Sequence, residues 1–122
     1  MYRASKSIFV GTLQEVDYWL ASDRPSCHAI DMTKVSDWGE ADDGLRHFFD
    51  AQLRFIDDCL ANGESVFIFC HAGRSRSATL AHLYCMGTGT PYALFHWQPS
   101  RRMQDLMWDY IEHWRNAEWR EA

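Results

Sequence analysis

No apolar run in this sequence reaches the roughly 18–20 residues that a membrane-spanning helix needs. The stretch Met1 to Ser7 carries positive charge, but the apolar segment after it is short, and Glu15 and Asp17 interrupt it. A secretory signal is therefore not expected. No pair of cysteines has Cys-x-x-Cys spacing, and none of Cys27, Cys59, Cys70 and Cys85 has a His at zinc-finger distance. A metal-stapled mini-domain is excluded on that pattern, and no metal or cofactor is expected. Basic charge is also short: the formal net charge is −5. A general nucleic-acid or anionic-membrane binder wants a basic face, so any recognition of anions must be local. Internal repeats, low-complexity tracts and linkers are absent.

What is present is a chain rich in packing material. Hydrophobic residues make up 47% and aromatics 15%, with six Trp in 122 residues. That composition excludes intrinsic disorder and suits one domain over residues 1–122. A core of that size does not need disulfides, so the cysteines are expected as free thiols in a cytoplasmic protein.

Hydrophobic patterning alternates strands with helices. Ser7–Val10 reads as a strand closed by Gly11, and Gln14–Ala21 as a helix with Thr12 as a candidate N-cap. Asp23–Ser26 reads as a turn and Cys27–Met32 as a second strand. Val35–Gly44 is acidic and polar, an exposed loop. Leu45, Phe48, Phe49, Leu53, Ile56, Cys59 and Leu60 recur at helical spacing and stop at Asn62-Gly63. Ser65–Phe69 is a continuous apolar run, as in a strand buried on both faces. A helix is expected from about Ser75 to Met86, a short one from Thr90-Pro91, and a last one from Ser100 to Trp119. The expected fold is α/β: a short, mostly parallel central sheet flanked by helices.

The loop between the apolar strand and its helix reads Cys70-His71-Ala72-Gly73-Arg74-Ser75-Arg76-Ser77. Ligands of open α/β sheets bind beyond the carboxyl ends of the strands. The free N–H groups of a helix N-terminus make such a place an anion site, and Gly73 permits the turn that aims them inward. The same positive field favours a thiolate at Cys70, the nucleophilic form. Arg76 offers a planar fork that matches phosphate oxygens bidentately. The Ser77 hydroxyl could donate to the sulfur when it leaves. A lone Cys after a buried strand is more often a core residue. The joint pattern of Cys, Gly, Arg and Ser between strand and helix argues for chemistry instead.

Phe67 to Thr79 resembles the signature loop of the protein tyrosine phosphatase superfamily, in its dual-specificity branch: His-Cys, five residues, Arg, then Ser or Thr, often continuing Ser-Ala-Thr. Ser7–Gly11 is similar to that family's opening strand, and Phe48, Phe49 and Phe55-Ile56-Asp57 to the helix before the signature strand. The resemblance covers about Ile8 to Leu94. It implies a cysteine-phosphatase-like fold and phosphomonoester hydrolysis through a phosphocysteine. Cys70 would be the nucleophile, Arg76 the phosphate binder and Ser77 the leaving-group helper. The backbone of His71, Ala72, Gly73, Arg74, Ser75 and Arg76 would form the cradle. Phe69 departs from the pattern, standing where the family carries a His that supports the loop and the thiolate. That implies a less readily ionised thiol, or compensation by His71 and Arg74. A second departure is a short segment between the Cys27–Met32 strand and the long helix.

The reaction needs a carboxylic acid to protonate the leaving oxygen and then to activate water. In the family it is an Asp on a loop upstream of the Cys. Asp37, in Val35-Ser36-Asp37-Trp38-Gly39, leads. Asp42 and Asp43 are rivals, and Asp31 a weaker one; a loop acid of this kind can also be no more than a solvated charge. Arg74 resembles the lipid-phosphatase branches, since a second cation favours multiply charged substrates. The acidic net charge and the lack of a basic amphipathic helix weigh against a membrane surface. The expected partner is a phosphorylated protein or small phosphomonoester, with a phospholipid or phosphoinositide headgroup as the variant. Two other classes compete: an inactive phosphatase fold that binds phosphorylated partners, and a sulfur-transfer enzyme. Cys59 or Cys85 could pair with an oxidised Cys70. Trp97, Trp108, Trp114 and Trp119 read as packing, and His28, His47, His82, His96 and His113 show no ligand spacing.

Overall fold

A computed structural model of the chain describes residues 1–21, 27–113 and 119–120. Strand β4 (Ser65–Cys70) is central, with every residue from Val66 to Cys70 buried. Side chains alternate across a strand, so its two faces feed two cores. Val66, Ile68 and Cys70 join the larger core, while Phe67 and Phe69 pack with Phe9 and Trp19. The apolar run reads continuously because both faces are covered.

Strands β2 (Ile8–Thr12) and β3 (Cys27–Asp31) flank β4, and both run parallel to it. Strand β1 (Tyr2–Ser5) adds an antiparallel edge, giving the order β1-β2-β4-β3. Sequence patterning misses β1. Its four residues alternate weakly, and its pairing with β2 depends on the tight turn between Ser5 and Ile8. The mostly parallel sheet is as expected.

Helix α1 (Val16–Ala21) follows a 3₁₀ turn at Leu13–Glu15. Its Thr12 N–H donates to the Glu15 carboxylate at 2.9 Å, so Thr12 does mark the helix entry. The expected Asp23–Ser26 turn lies outside the described residues. Met32 leaves β3 and opens a second 3₁₀ turn, Met32–Lys34, which Asp31 caps through Thr33 N at 2.8 Å.

Helix α2 (Asp43–Ala61) starts two residues before Leu45, because the Asp42 carboxylate accepts from Leu45 N at 2.9 Å. It ends in a left-handed Gly63, with Gly63 N donating to Leu60 O and Glu64 N to Cys59 O. Helix α3 (Arg76–Thr88) ends at left-handed Gly89. Helix α4 (Arg101–His113) shows Met103, Leu106 and Tyr110 to the core, and Trp119 is buried beyond it. The rest of the expected final helix, including Trp114, lies outside the described residues.

The short helix expected from Thr90-Pro91 does not form. Residues 90–100 run without helix, and their backbone groups pair elsewhere. Ala93 N donates to Ala4 O, Gln98 N to Arg74 O, and Pro91 O accepts from Ser5. A helix would have to forgo these bonds to β1 and the signature loop.

His82 on α3 packs under this segment, accepting or donating at Nδ1 with the Tyr92 hydroxyl at 2.8 Å and stacking on Trp97 at 4.5 Å. Burial holds its pKa below the ordinary 6.5. The unfolded chain therefore takes up this proton first as pH falls. The stabilisation is complete above about pH 6.5 and is lost as pH drops through the lower folded value. Urea unfolding at about pH 7.5 and about pH 5.5 is expected to show a smaller loss of midpoint in His82→Gln than in the wild type.

Candidate active site

Cys70 is the last residue of the central strand, opposite Thr12 of β2. Its thiol is nearly enclosed, at 2% exposure. Among the described residues, two groups lie within hydrogen-bond distance of the sulfur. Gly73 N–H donates to Sγ at 3.2 Å, and the Ser77 hydroxyl lies 3.2 Å away. Residues 71–75 cross from β4 to α3, which begins at Arg76. Gly73 has φ +68°, and a Cβ there would sit 2.9 Å from Gly11 O. Only glycine satisfies both constraints. His71, Ala72 and Arg74 are exposed.

Among the described residues, one hydrogen bond anchors the Arg76 guanidinium. Its Nη1 donates to Val35 O at 2.7 Å. Its Nε is buried with no hydrogen-bond partner among the described residues. A buried cationic donor without an acceptor is costly, and the deficit is removed when an anion arrives.

Of the four candidate acids, Asp37 alone contacts the signature loop. Its Oδ1 accepts from Ser75 Oγ at 2.8 Å and from Ser100 Oγ at 2.8 Å. Asp42 caps α2, Asp43 bonds the neighbouring Arg46 at 2.6 Å, and Asp31 caps its own turn. Sequence reasoning missed the residues that hold this loop. Ser100 links Asp37 to α4, donating its own N–H to Ser75 Oγ at 2.9 Å. Arg102 donates to Glu40 O at 2.8 Å and to Ser36 O at 2.7 Å, bracketing Asp37. A single sequence carries no signal for either, because both act across more than 60 positions. Trp38, next to Asp37, is 81% exposed.

Phe69 sits away from the sulfur. Alternation turns it to the opposite face of β4, with its ring 5.8 Å from that of Phe67. For Cys59, pairing with an oxidised Cys70 is not supported by position. Cys59 ends α2 beside the start of β4, while Cys70 ends that strand. Five strand steps separate the two ends, about 17 Å, beyond the reach of a disulfide. Burial pushes the Cys85 thiol up to about 12, which disfavours its thiolate at neutral pH.

Residues 9–93 match the family described as "Dual specificity phosphatase, catalytic domain". No curated protein matches the sequence. Among solved structures the chain is similar to the Cydia pomonella PTP-2 phosphatase, with a TM-score of 0.50 and 22% identity over 87% of this chain and 88% of that one. At that identity the likeness speaks for the fold alone. The family match spans more than half of the sequence and includes both the Asp37 loop and the whole of Cys70–Ser77. The sequence therefore belongs to the dual-specificity phosphatase catalytic-domain family of the protein tyrosine phosphatase superfamily, a phosphatase-like hydrolase of the cysteine-dependent kind.

Proposed function

We propose that the chain, acting as one domain over residues 1–122, hydrolyses phosphomonoesters on phosphorylated protein through a phosphocysteine intermediate. The observation that carries this reading is Arg76. A buried guanidinium Nε without a protein partner stands six residues beyond a strand-end cysteine, in a loop whose Gly73 N–H already turns toward the sulfur. The Val35 carbonyl occupies Nη1 and leaves Nε and Nη2 to take two phosphate oxygens.

In the first step the Cys70 thiolate attacks phosphorus in line with the leaving oxygen. The S–P bond forms as the P–O bond breaks. Backbone N–H groups from His71 to Arg76 and the Arg76 fork hold the three equatorial oxygens, whose charge spreads in the transition state. Asp37 gives its proton to the departing alkoxide or phenoxide. In the second step Asp37, now a carboxylate, takes a proton from water as the water attacks phosphorus. The S–P bond breaks, and Ser77 donates to the sulfur, 3.2 Å away, as it leaves. Inorganic phosphate is the product.

The lipid-headgroup and binding-module readings are not favoured by the family match. Arg74 is exposed beside a cavity of about 180 Å³ that it shares with Gly11, Thr12, Phe95 and His96, which leaves room next to the cradle for the group that carries the phosphate. No helix among the described residues is long and apolar enough to cross a membrane. Cys27, Cys59, Cys70 and Cys85 are all free, which supports a cytoplasmic setting.

The test is to quench the enzyme in acid during turnover of an aryl phosphate and map the peptides by mass spectrometry. A phosphoryl group on the Cys70 peptide is expected. Steady turnover with no label on Cys70 in any quench would sink the covalent route.

A further inference from the structure

At the end of β4 remote from Cys70, three side chains of different chemistry converge. A nitrogen of His28, the sulfur of Cys59 and a carboxylate oxygen of Glu64 all lie within 4.8 Å of one another. We propose that His28, Cys59 and Glu64 form a three-ligand site for a divalent transition-metal cation of the zinc class, with water as the fourth ligand.

The backbone holds all three ligands in place. The turn that ends α2 joins Cys59 to Glu64 through Glu64 N donating to Cys59 O at 2.9 Å, with Gly63 left-handed between them. His28 comes from β3 and faces Val66, two residues beyond Glu64, in the parallel register. Its ring meets Phe55 edge-on at 5.6 Å, and its Nε2 lies 2.7 Å from Glu64 Oε2. Burial grades outward. Cys59 is 4% exposed, while the side chains of Glu64 and His28 are 24% and 38% exposed. An ion would therefore find the sulfur inside, the nitrogen and oxygen at the rim, and water on the open side.

The donor set selects the ion. Sulfur, imidazole and one carboxylate suit zinc and its cobalt analogue, whereas magnesium and calcium want oxygen ligands. Metal–ligand bonds of about 2.0–2.3 Å place tetrahedral ligand atoms about 3.3–3.6 Å apart. A separation as wide as 4.8 Å must close by about 1 Å, while His28 Nε2 and Glu64 Oε2, now 2.7 Å apart, must open by roughly 0.6–0.9 Å to admit the ion between them, both within side-chain motion at a half-exposed rim. On binding, the Cys59 thiol gives its proton to solvent and an S–metal bond forms. That sulfur, the His28 lone pair and a Glu64 oxygen replace five waters of the six-coordinate hydrated ion as it becomes four-coordinate, with one water retained and no change of oxidation state. The bound ion would pin α2, β3 and β4 together about 17 Å from the nucleophile.

The experiment titrates Co²⁺ into the full reduced chain and reads absorbance. The catalytic thiol is the obvious competitor, so Cys70→Ser is titrated beside the wild type. One equivalent is expected in both, with a sulfur-to-cobalt charge-transfer band in the near ultraviolet and the visible bands of tetrahedral Co²⁺. Cys59→Ser is expected to lose the charge-transfer band. His28→Gln and Glu64→Gln, changed at the rim and so safe for folding, are expected to bind at least about tenfold more weakly. Bands that vanish in Cys70→Ser, or that survive intact in Cys59→Ser or in both rim variants, would overturn the site. Loss of these bands with aryl-phosphate turnover retained would leave the catalytic reading untouched.

Discussion

Cys70→Ser is expected to lower turnover of an aryl phosphate in EDTA by on the order of 10⁴-fold or more, the scale on which removal of a nucleophile acts. The substitution changes one atom in a side chain that is 2% exposed. A hydroxyl accepts from Gly73 N–H and meets Ser77 as the sulfur does, so the loop keeps its bonds. What is lost is ionisation, since a serine hydroxyl has no neighbouring base here to make it a nucleophile. EDTA removes any dependence on a bound cation, and thermal unfolding recorded alongside shows that the variant is folded. Retention of a tenth of the wild-type rate would rule Cys70 out. Binding of phosphate analogues that persists in the inactive variant would show that the cradle and Arg76 survive without the thiolate.

The second large effect is expected at Asp37. Asp37→Asn should reduce kcat by about 10²–10⁴-fold, the usual worth of a general acid. Asp37 also ties Ser75 to Ser100, so a smaller rate could reflect a loosened loop. The leaving group separates the two causes. A poor one, such as unsubstituted phenol, needs the proton, whereas a good one, such as a nitrophenol, leaves without it. Acid catalysis by Asp37 predicts a large loss with phenyl phosphate and a small one with nitrophenyl phosphate. A purely positional role predicts equal losses. Asp42→Asn, Asp43→Asn and Asp31→Asn should each keep most of the activity, since those carboxylates serve a helix cap, a surface ion pair and a turn cap. Equal losses in Asp37→Asn and Asp42→Asn would return the assignment to an open question.

Phe69 is explained by the sheet. Strand alternation places this side chain with Phe9, Trp19 and Phe67, on the face opposite the larger core that Cys70 joins. An aromatic there extends a four-ring cluster, with Phe9 and Trp19 centroids 4.6 Å apart. A histidine at the same position would bring a polar ring into that apolar cluster. The sulfur's contacts come instead from Gly73 and Ser77, which follow it in sequence.

The sequence by itself determined the local parts of this protein. The apolar run of β4, the helical spacing of α2, the Gly63 stop and the Cys70–Ser77 loop were legible because each rests on neighbours within one turn or one strand. The proposed nucleophile Cys70 and phosphate clamp Arg76 were legible for the same reason: they are six residues apart on a single strand–loop–helix unit. What lies across the fold was not legible. Edge strand β1, the extended course of residues 90–100, and the hold of Ser100 and Arg102 on the Asp37 loop all depend on bonds between distant segments. The contact of Asp37 with Ser75 of the signature loop, and the meeting of His28 with Cys59 and Glu64, likewise come from tertiary structure. Periodicity and capping act through nearest neighbours, whereas these contacts form only when the parallel sheet brings segments tens of residues apart side by side.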